Sequence, residues 1–83
     1  MPQCTMEKKA VINLTTEDKK LKSKARTIAV AEANGLKSAS FIGERGDLLE
    51  LIAEKIDTAT VVDKIRRKAG LPKAWLVSFG DHN

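Results

Sequence analysis

The sequence predicts an α+β fold in which strands and helices follow the order β-α-β-β-α-β. Stretches of alternating apolar and polar residues, the pattern of half-buried strands, recur along the chain. Two other segments repeat their apolar residues at helical spacing, and each follows an aspartate that is suited to cap a helix. A glycine follows each of these two segments, as is common where a helix ends. Together these observations favour two helices among four strands.

The first half of the chain predicts a strand, a helix and a second strand. Residues 9–15 alternate around the apolar residues Ala10, Ile12 and Leu14 and end in β-branched threonines, which favours a strand. Asp18 is the expected N-cap of a helix over residues 21–33, and Gly35 is expected to end that helix. Residues 38–43 are predicted to form the second strand.

The second half predicts a hairpin, a helix and a final strand. Residues 44–47 are the expected turn between the second strand and a third strand over residues 48–53. Asp57 is expected to cap a second helix over residues 58–69. The fourth strand is predicted over residues 73–79.

This order of elements is the split pattern of ferredoxin-like folds, a βαββαβ sandwich. We expect a four-stranded antiparallel sheet with two helices on one face and the other face open. The strand order in such a sheet is 4-1-3-2, so the second and fourth strands are the edges. The domain is expected over residues 8–80, between a flexible N-terminal tail, 1–7, and a C-terminal tail, 81–83.

Strand alternation assigns each apolar side chain to one face of the sheet. The residues predicted to pack in the core are Ala10, Ile12, Ala39, Phe41, Leu49, Leu51, Val61, Ile65, Trp75 and Val77. The same alternation directs five other apolar residues outward: Val11, Ile42, Leu48, Ile52 and Leu76. A contiguous apolar patch on an open sheet face indicates an interaction surface. A strand bulge or an inverted alternation is the alternative explanation for this pattern.

Length and composition restrict the function. A chain of 83 residues forms one small domain without a cleft between domains. The net charge is +4, and all of the excess lies in the first half, mainly at five residues: Lys19, Lys20, Lys22, Lys24 and Arg26. The single cysteine, Cys4, excludes an intrachain disulfide. We expect no secretory signal in residues 1–9, which hold no apolar stretch, and no apolar run approaches the roughly 20 residues that would span a membrane.

Neither catalysis nor nucleic-acid binding is favoured by the residues. We expect no enzyme, because the one histidine, His82, is next to last and completes no catalytic set. The basic first half keeps nucleic acid as a remote alternative. The predicted open face, however, offers no aromatic residue on which bases would stack, and it carries Glu50. Amino-acid-binding regulatory domains of the same element order have a glycine-rich turn after the first strand, which is missing here.

Three stretches resemble the heavy-metal-associated (HMA) domain. Leu36-Lys37-Ser38-Ala39-Ser40-Phe41-Ile42-Gly43-Glu44 is similar to the second strand of that family. Ile56-Asp57 with Val62-Asp63-Lys64-Ile65-Arg66-Arg67-Lys68-Ala69-Gly70 is similar to its second helix. Three features narrow the resemblance to plant domains: Ser23-Lys24-Ala25, the turn from Gly43 to Asp47, and Arg66-Arg67-Lys68. Such plant domains are integrated in NLR immune receptors (Pik-like) or occur as small HMA proteins.

The sequence departs from this family at the metal motif. Members that carry metal use Met-x-Cys-x-x-Cys in the first loop, where two thiolates bind a soft ion. Counted back from Lys24, the cysteine positions fall on Asp18 and Leu21; counted back from Gly35, they fall on Lys19 and Lys22. None of these residues supplies a thiolate, so neither metal nor another cofactor is expected. A metallochaperone-type HMA protein, or a metal ion bridged by Cys4 of two copies, is an alternative.

The resemblance implies a protein-binding domain in the cytoplasm or nucleus, with a small secreted β-sandwich effector of a fungal pathogen as its partner. Carried over residue by residue, the implied contact residues are Ser40, Ile42, Glu44, Gly46, Asp47, Leu48, Glu50, Ile52, Val77, Ser78 and His82. Glu50 is expected to pair with a basic effector residue. A second receptor group binds through the first helix and second strand, which implies Ser38, Ser40 and Ile42 instead. A host protein targeted by effectors and a homodimer through the open face are alternatives.

Overall fold

The structure, a computed structural model, describes residues 7–82. The elements are β1 (Glu7–Asn13), α1 (Lys19–Glu32), β2 (Asn34–Ile42), β3 (Leu48–Lys55), α2 (Thr58–Lys68) and β4 (Trp75–His82). The four strands form one antiparallel sheet in the order β2-β3-β1-β4. The predicted ferredoxin-like α+β fold and its two edge strands are therefore confirmed.

Strand pairing moves several element boundaries away from the predicted ones. Asn34 pairs with Lys55, so β2 begins four residues before its predicted start. Glu7 pairs with His82, so β4 continues past Phe79 into residues that the sequence predicts as a tail. These ends lack the alternation from which the strands were predicted, and the backbone hydrogen bonds of a neighbouring strand extend them.

Both predicted helix caps are confirmed. The Asp18 carboxylate accepts hydrogen bonds from the backbone N–H groups of Lys20 and Leu21, at 2.8 and 3.3 Å. The Asp57 carboxylate accepts from the backbone N–H and the hydroxyl of Thr60, at 3.2 and 2.8 Å. α1 ends at Glu32, and Gly35 takes the left-handed conformation, with φ +64°, inside β2 rather than at the helix terminus.

The core lies between the helices and one face of the sheet. Its largest fully buried side chains come from β1, the loop after it, β3 and α2: Ile12, Leu14, Leu49, Leu51, Val61 and Ile65. Each contributes about 1.5–3 kcal/mol relative to an exposed position. α1 adds only the small side chains of Ala25 and Ala29 to the fully buried set. The core predictions for the central strands and α2 are confirmed.

Two core predictions in β4 are wrong, and a third residue there was predicted on the wrong face. Trp75 and Val77 are 47% and 41% exposed, whereas Leu76 packs against the core. The cause is a β-bulge in β4, which inverts the side-chain alternation that a regular strand would have. On the opposite edge, Phe41 does face the helices because it pairs with the buried Leu49, but it is 38% exposed there.

We predict that Leu51→Ala lowers the free energy of unfolding by about 2–5 kcal/mol, because it leaves a cavity in the core. Leu48→Ala is the matched control, since it removes the same atoms from the uncovered face of the same strand. Urea unfolding followed by circular dichroism measures both. An equal loss for the two variants would contradict the assignment of the faces.

We predict that the stability lost by Asp57→Asn is pH-dependent. Hydrogen bonds from the Thr60 hydroxyl and the Thr60 backbone N–H hold the pKa of Asp57 below its usual value of 3.8. A carboxyl group whose pKa is lowered by folding stabilises the protein above its unfolded pKa, and this contribution disappears as the pH falls through the folded pKa. The difference in melting temperature between wild type and Asp57→Asn should therefore be largest well above pH 3.8 and should shrink as the pH falls below it. A difference that does not shrink as the pH falls would contradict this.

Candidate functional site

The candidate site is the sheet face opposite the helices, which we call the open face. Strand register arranges its outward side chains in transverse rows. The row nearest the β2–β3 turn holds Ile42, Leu48, Asn13 and Trp75. The middle row holds Ser40, Glu50, Val11 and Ser78, and the third row holds Ser38, Ile52, Lys9 and Gly80. Four of the five predicted apolar residues lie on this face: Val11, Ile42, Leu48 and Ile52.

Val11 shows that the open face has a small hydrophobic centre of its own. Its side chain is only 7% exposed, yet it does not belong to the core that the helices cover. Ile42, Leu48 and Ile52 are half-buried and are likewise absent from that core. The apolar residues of this face therefore shield one another without any covering helix, as a contiguous patch does.

The bulge in β4 brings Trp75, which regular alternation would place in the core, to the open face. Val11 pairs with Ser78, and Ile12 pairs with Leu76, so Val77 is the additional residue opposite them. Because Ile12 is buried beneath the helices, Leu76 must lie on that side, and Trp75 then lies on the open face beside Asn13. Leu76 and Phe79 are three residues apart. Because the bulge inserts one extra residue between them, both lie on the helix side, opposite Ile12 and Ala10.

The position of Trp75 bears on nucleic-acid binding. The sequence predicts an open face without an aromatic side chain, and the structure places the only tryptophan there, 47% exposed. One reason for disfavouring stacked bases is thereby removed. The other reason holds, since Glu50 lies in the middle row of the same face.

Glu50 already has a cationic partner within the domain. Its carboxylate lies 3.4 Å from the Lys9 Nζ, and its side chain is 19% exposed. The two residues are diagonal neighbours on β3 and β1, a geometry that long side chains can bridge. Their proximity depends on the strand register, so the sequence alone does not reveal this contact. A basic side chain of a partner would therefore either share the Glu50 carboxylate with Lys9 or displace Lys9 from it.

The β2–β3 turn, which carries the predicted contacts Glu44, Gly46 and Asp47, is tied to the body of the domain. The Gly46 N–H donates to the Gly43 carbonyl at 3.2 Å, which closes the turn. The Leu14 N–H donates to the Asp47 carbonyl at 2.8 Å, and Lys22 Nζ donates to the Arg45 carbonyl at 3.0 Å. Gly46 has φ +65°, a conformation in which other residues are strained. The turn is thus a fixed rim beside the row of Ile42 and Leu48.

The structure separates the predicted contacts into two groups. The turn, Ile42 and Leu48 lie near the Asn13 end of β1, whereas His82 pairs with Glu7 at the other end. Six residue steps of strand separate these ends, or roughly 20 Å. Ser38 and Ser40 lie along the β2 edge between them, and the side chain of His82 lies outside the part of the chain that is described. A single partner that contacts both groups must cover the length of β1.

The region that carries the metal motif in HMA domains does not fit a metal here. Asp18 caps α1, Leu21 packs against the core, and Lys22 donates to the turn. Among residues 7–82 no three His, Cys, Asp or Glu side chains are grouped to hold a metal ion. Cys4 lies outside the described residues.

Comparisons with known proteins add no family assignment. No protein-family model matches the chain, and no curated protein matches it. Within residues 7–82 neither helix is long and apolar enough to span a membrane. The fold and the composition of the open face are therefore the structural basis for a functional proposal.

We predict that Trp75 fluorescence reports an exposed indole, because Trp75 is the only tryptophan. Emission should lie near that of free tryptophan, and acrylamide should quench it efficiently in the folded domain. The same protein in urea gives the reference for full exposure. Emission strongly shifted to shorter wavelength and protected from acrylamide would contradict the bulged register of β4.

Proposed function

We propose that the chain is a protein-binding domain of the HMA type without the metal motif, integrated in a plant NLR immune receptor, and that it binds a small secreted effector of a fungal pathogen. The resemblance of residues 36–44 and 56–70 to plant HMA domains supports the family. The apolar open face supports protein binding. A host protein that such effectors target would use the same face.

The observation that carries this proposal is the row formed by Ile42, Leu48, Asn13 and Trp75. It crosses the sheet from one edge strand to the other, and three of its four side chains are apolar. In the part of the chain that the structure describes, no helix covers this face. Tryptophan is enriched among the residues that dominate binding energies, because it buries a large rigid surface and keeps a polar N–H. An effector surface would bury this row first.

The edge of β4 offers a second element of recognition. Among the described strands β4 pairs with β1 alone, so the backbone groups on its other side offer an edge for an added strand. A β-sandwich effector can supply such a strand. Trp75 lies on the same strand and would meet the side chains of the added strand on the open face.

Acidic groups around the patch favour a basic effector surface. Glu44 and Asp47 lie on the turn at one end of the apolar row, and Glu50 lies in the row behind it. Charges at the rim of an interface affect the association rate and the choice of partner more than the affinity. Basic effector side chains placed opposite these acids would orient the partner over the row of Leu48 and Trp75.

We predict that Trp75→Ala weakens effector binding about 30-fold or more, the loss typical of a tryptophan at the centre of an interface. Glu50→Arg should also weaken binding, because it reverses a charge within the contact. Asp63→Arg is the matched control: it makes the same charge reversal on exposed α2, on the opposite layer. Surface plasmon resonance of the domain against a panel of small secreted fungal effectors, with metal chelated, measures all three.

The outcomes of this experiment separate the possible sites. Loss in Trp75→Ala and Glu50→Arg but not in Asp63→Arg supports the open face. Binding that neither open-face variant changes would contradict this site. Binding to no effector, together with a mass that doubles with concentration in sedimentation, would instead support a homodimer through the open face.

A further inference from the structure

The helical layer is far more basic than the chain as a whole. Within their bounds, α1 and α2 carry nine basic and two acidic residues, a net charge of +7, compared with +4 for the full chain. The strands and loops must therefore carry the balancing negative charge. This concentration of positive charge lies on the side of the sheet away from the open face, so the proposed effector contact does not account for it.

Three of these nine basic residues, Lys20, Lys24 and Lys68, line a groove between the two helices. The groove has a volume of about 560 Å³ and is lined by Lys20, Ser23, Lys24, Thr27, Ile28 and Lys68. Lys20 and Lys24 are one turn apart on α1, and Lys68 is the last residue of α2. The hydroxyl of Thr27 donates to the Ser23 carbonyl at 3.0 Å. The side-chain donors that remain among the lining residues are therefore the three lysine ammonium groups and the Ser23 hydroxyl. None of the acidic residues within 7–82 lines the groove.

Nothing in the described part of the chain neutralises these lysines. Among residues 7–82, carboxylates lie within 4.0 Å of four other lysines, Lys8, Lys9, Lys37 and Lys64, but of none that lines the groove. Like charges four residues apart on a helix destabilise it. Lys20 and Lys24 are such a pair, and a bound anion would convert their repulsion into attraction.

We propose that this groove binds a small phosphate ester. A phosphate monoester carries nearly two negative charges and three acceptor oxygens, which suits three ammonium donors and a hydroxyl better than a carboxylate does. Ile28 and the lysine methylene chains provide an apolar wall for the organic part of the ester. The volume lies within the roughly 300–1,000 Å³ of small-molecule sites. The groove and the open face can be occupied at the same time.

Titration of the full chain with phenyl phosphate at constant ionic strength, followed by amide NMR, tests the proposal. We expect saturable shifts at Ser23, Lys24 and Lys68, and tighter binding of phenyl phosphate than of inorganic phosphate. Lys24→Gln should weaken binding about tenfold through the loss of a charge-assisted hydrogen bond. Lys19→Gln is the matched control, because Lys19 precedes Lys20 on α1 and does not line the groove.

Three results would overturn the proposal. Shifts that grow linearly without saturation, or equal losses in Lys24→Gln and Lys19→Gln, would reveal only a general attraction of anions to a basic surface. Binding of a duplex DNA or of vesicles containing phosphatidylserine at the groove, without binding of phenyl phosphate, would assign the groove to a polyanionic macromolecule or a membrane. Glu50→Arg should leave phosphate binding unchanged, so this result is independent of the effector contact.

Discussion

The antiparallel pairing of β1 with β3 is the constraint on which both faces of this protein depend. Ala10 lies opposite Leu51 and Ile12 opposite Leu49, and all four side chains are fully buried beneath the helices. Because neighbouring residues of a strand point to opposite faces, this pairing forces Val11, and Leu48 and Ile52 on either side of the two leucines, onto the open face. A slip of one residue would exchange the two sets and expose the core. The hydrophobic core and the uncovered patch thus follow from the same register.

The bulge in β4 shapes the candidate site. A regular continuation of the Val11–Ser78 pair would place Val77 opposite Ile12, whereas the register shift places Leu76 there, against the core. The shift turns Trp75 toward the open face and leaves Val77 exposed. The open face therefore gains an exposed aromatic side chain through the bulge of its edge strand. The same edge carries the backbone groups to which a partner strand can bind.

The sequence predicts those elements in which apolar and polar residues clearly differ from one position to the next. In β3, fully apolar Leu49 and Leu51 flank Glu50, so both faces could be assigned, and the two capping aspartates marked the helix starts. β4 begins with three consecutive apolar residues, Trp-Leu-Val, so either face of the strand could be the buried one. Sequence alone could therefore not detect the bulge. The contact of Lys9 with Glu50 and the approach of Lys68 to Lys20 depend on register and helix packing, which act between residues distant in sequence.

The most direct test of the open face as a protein-binding surface is methyl and indole NMR of the domain as a bound effector is added. The account predicts that the methyl groups of Leu48 and Ile52 and the indole N–H of Trp75 shift strongly. The methyl groups of Leu49 and Ile65, which are fully buried on the helix side, should stay nearly unchanged. Shifts confined to α1, with Leu48 and Trp75 unaffected, would contradict the account and place the partner on the helical layer.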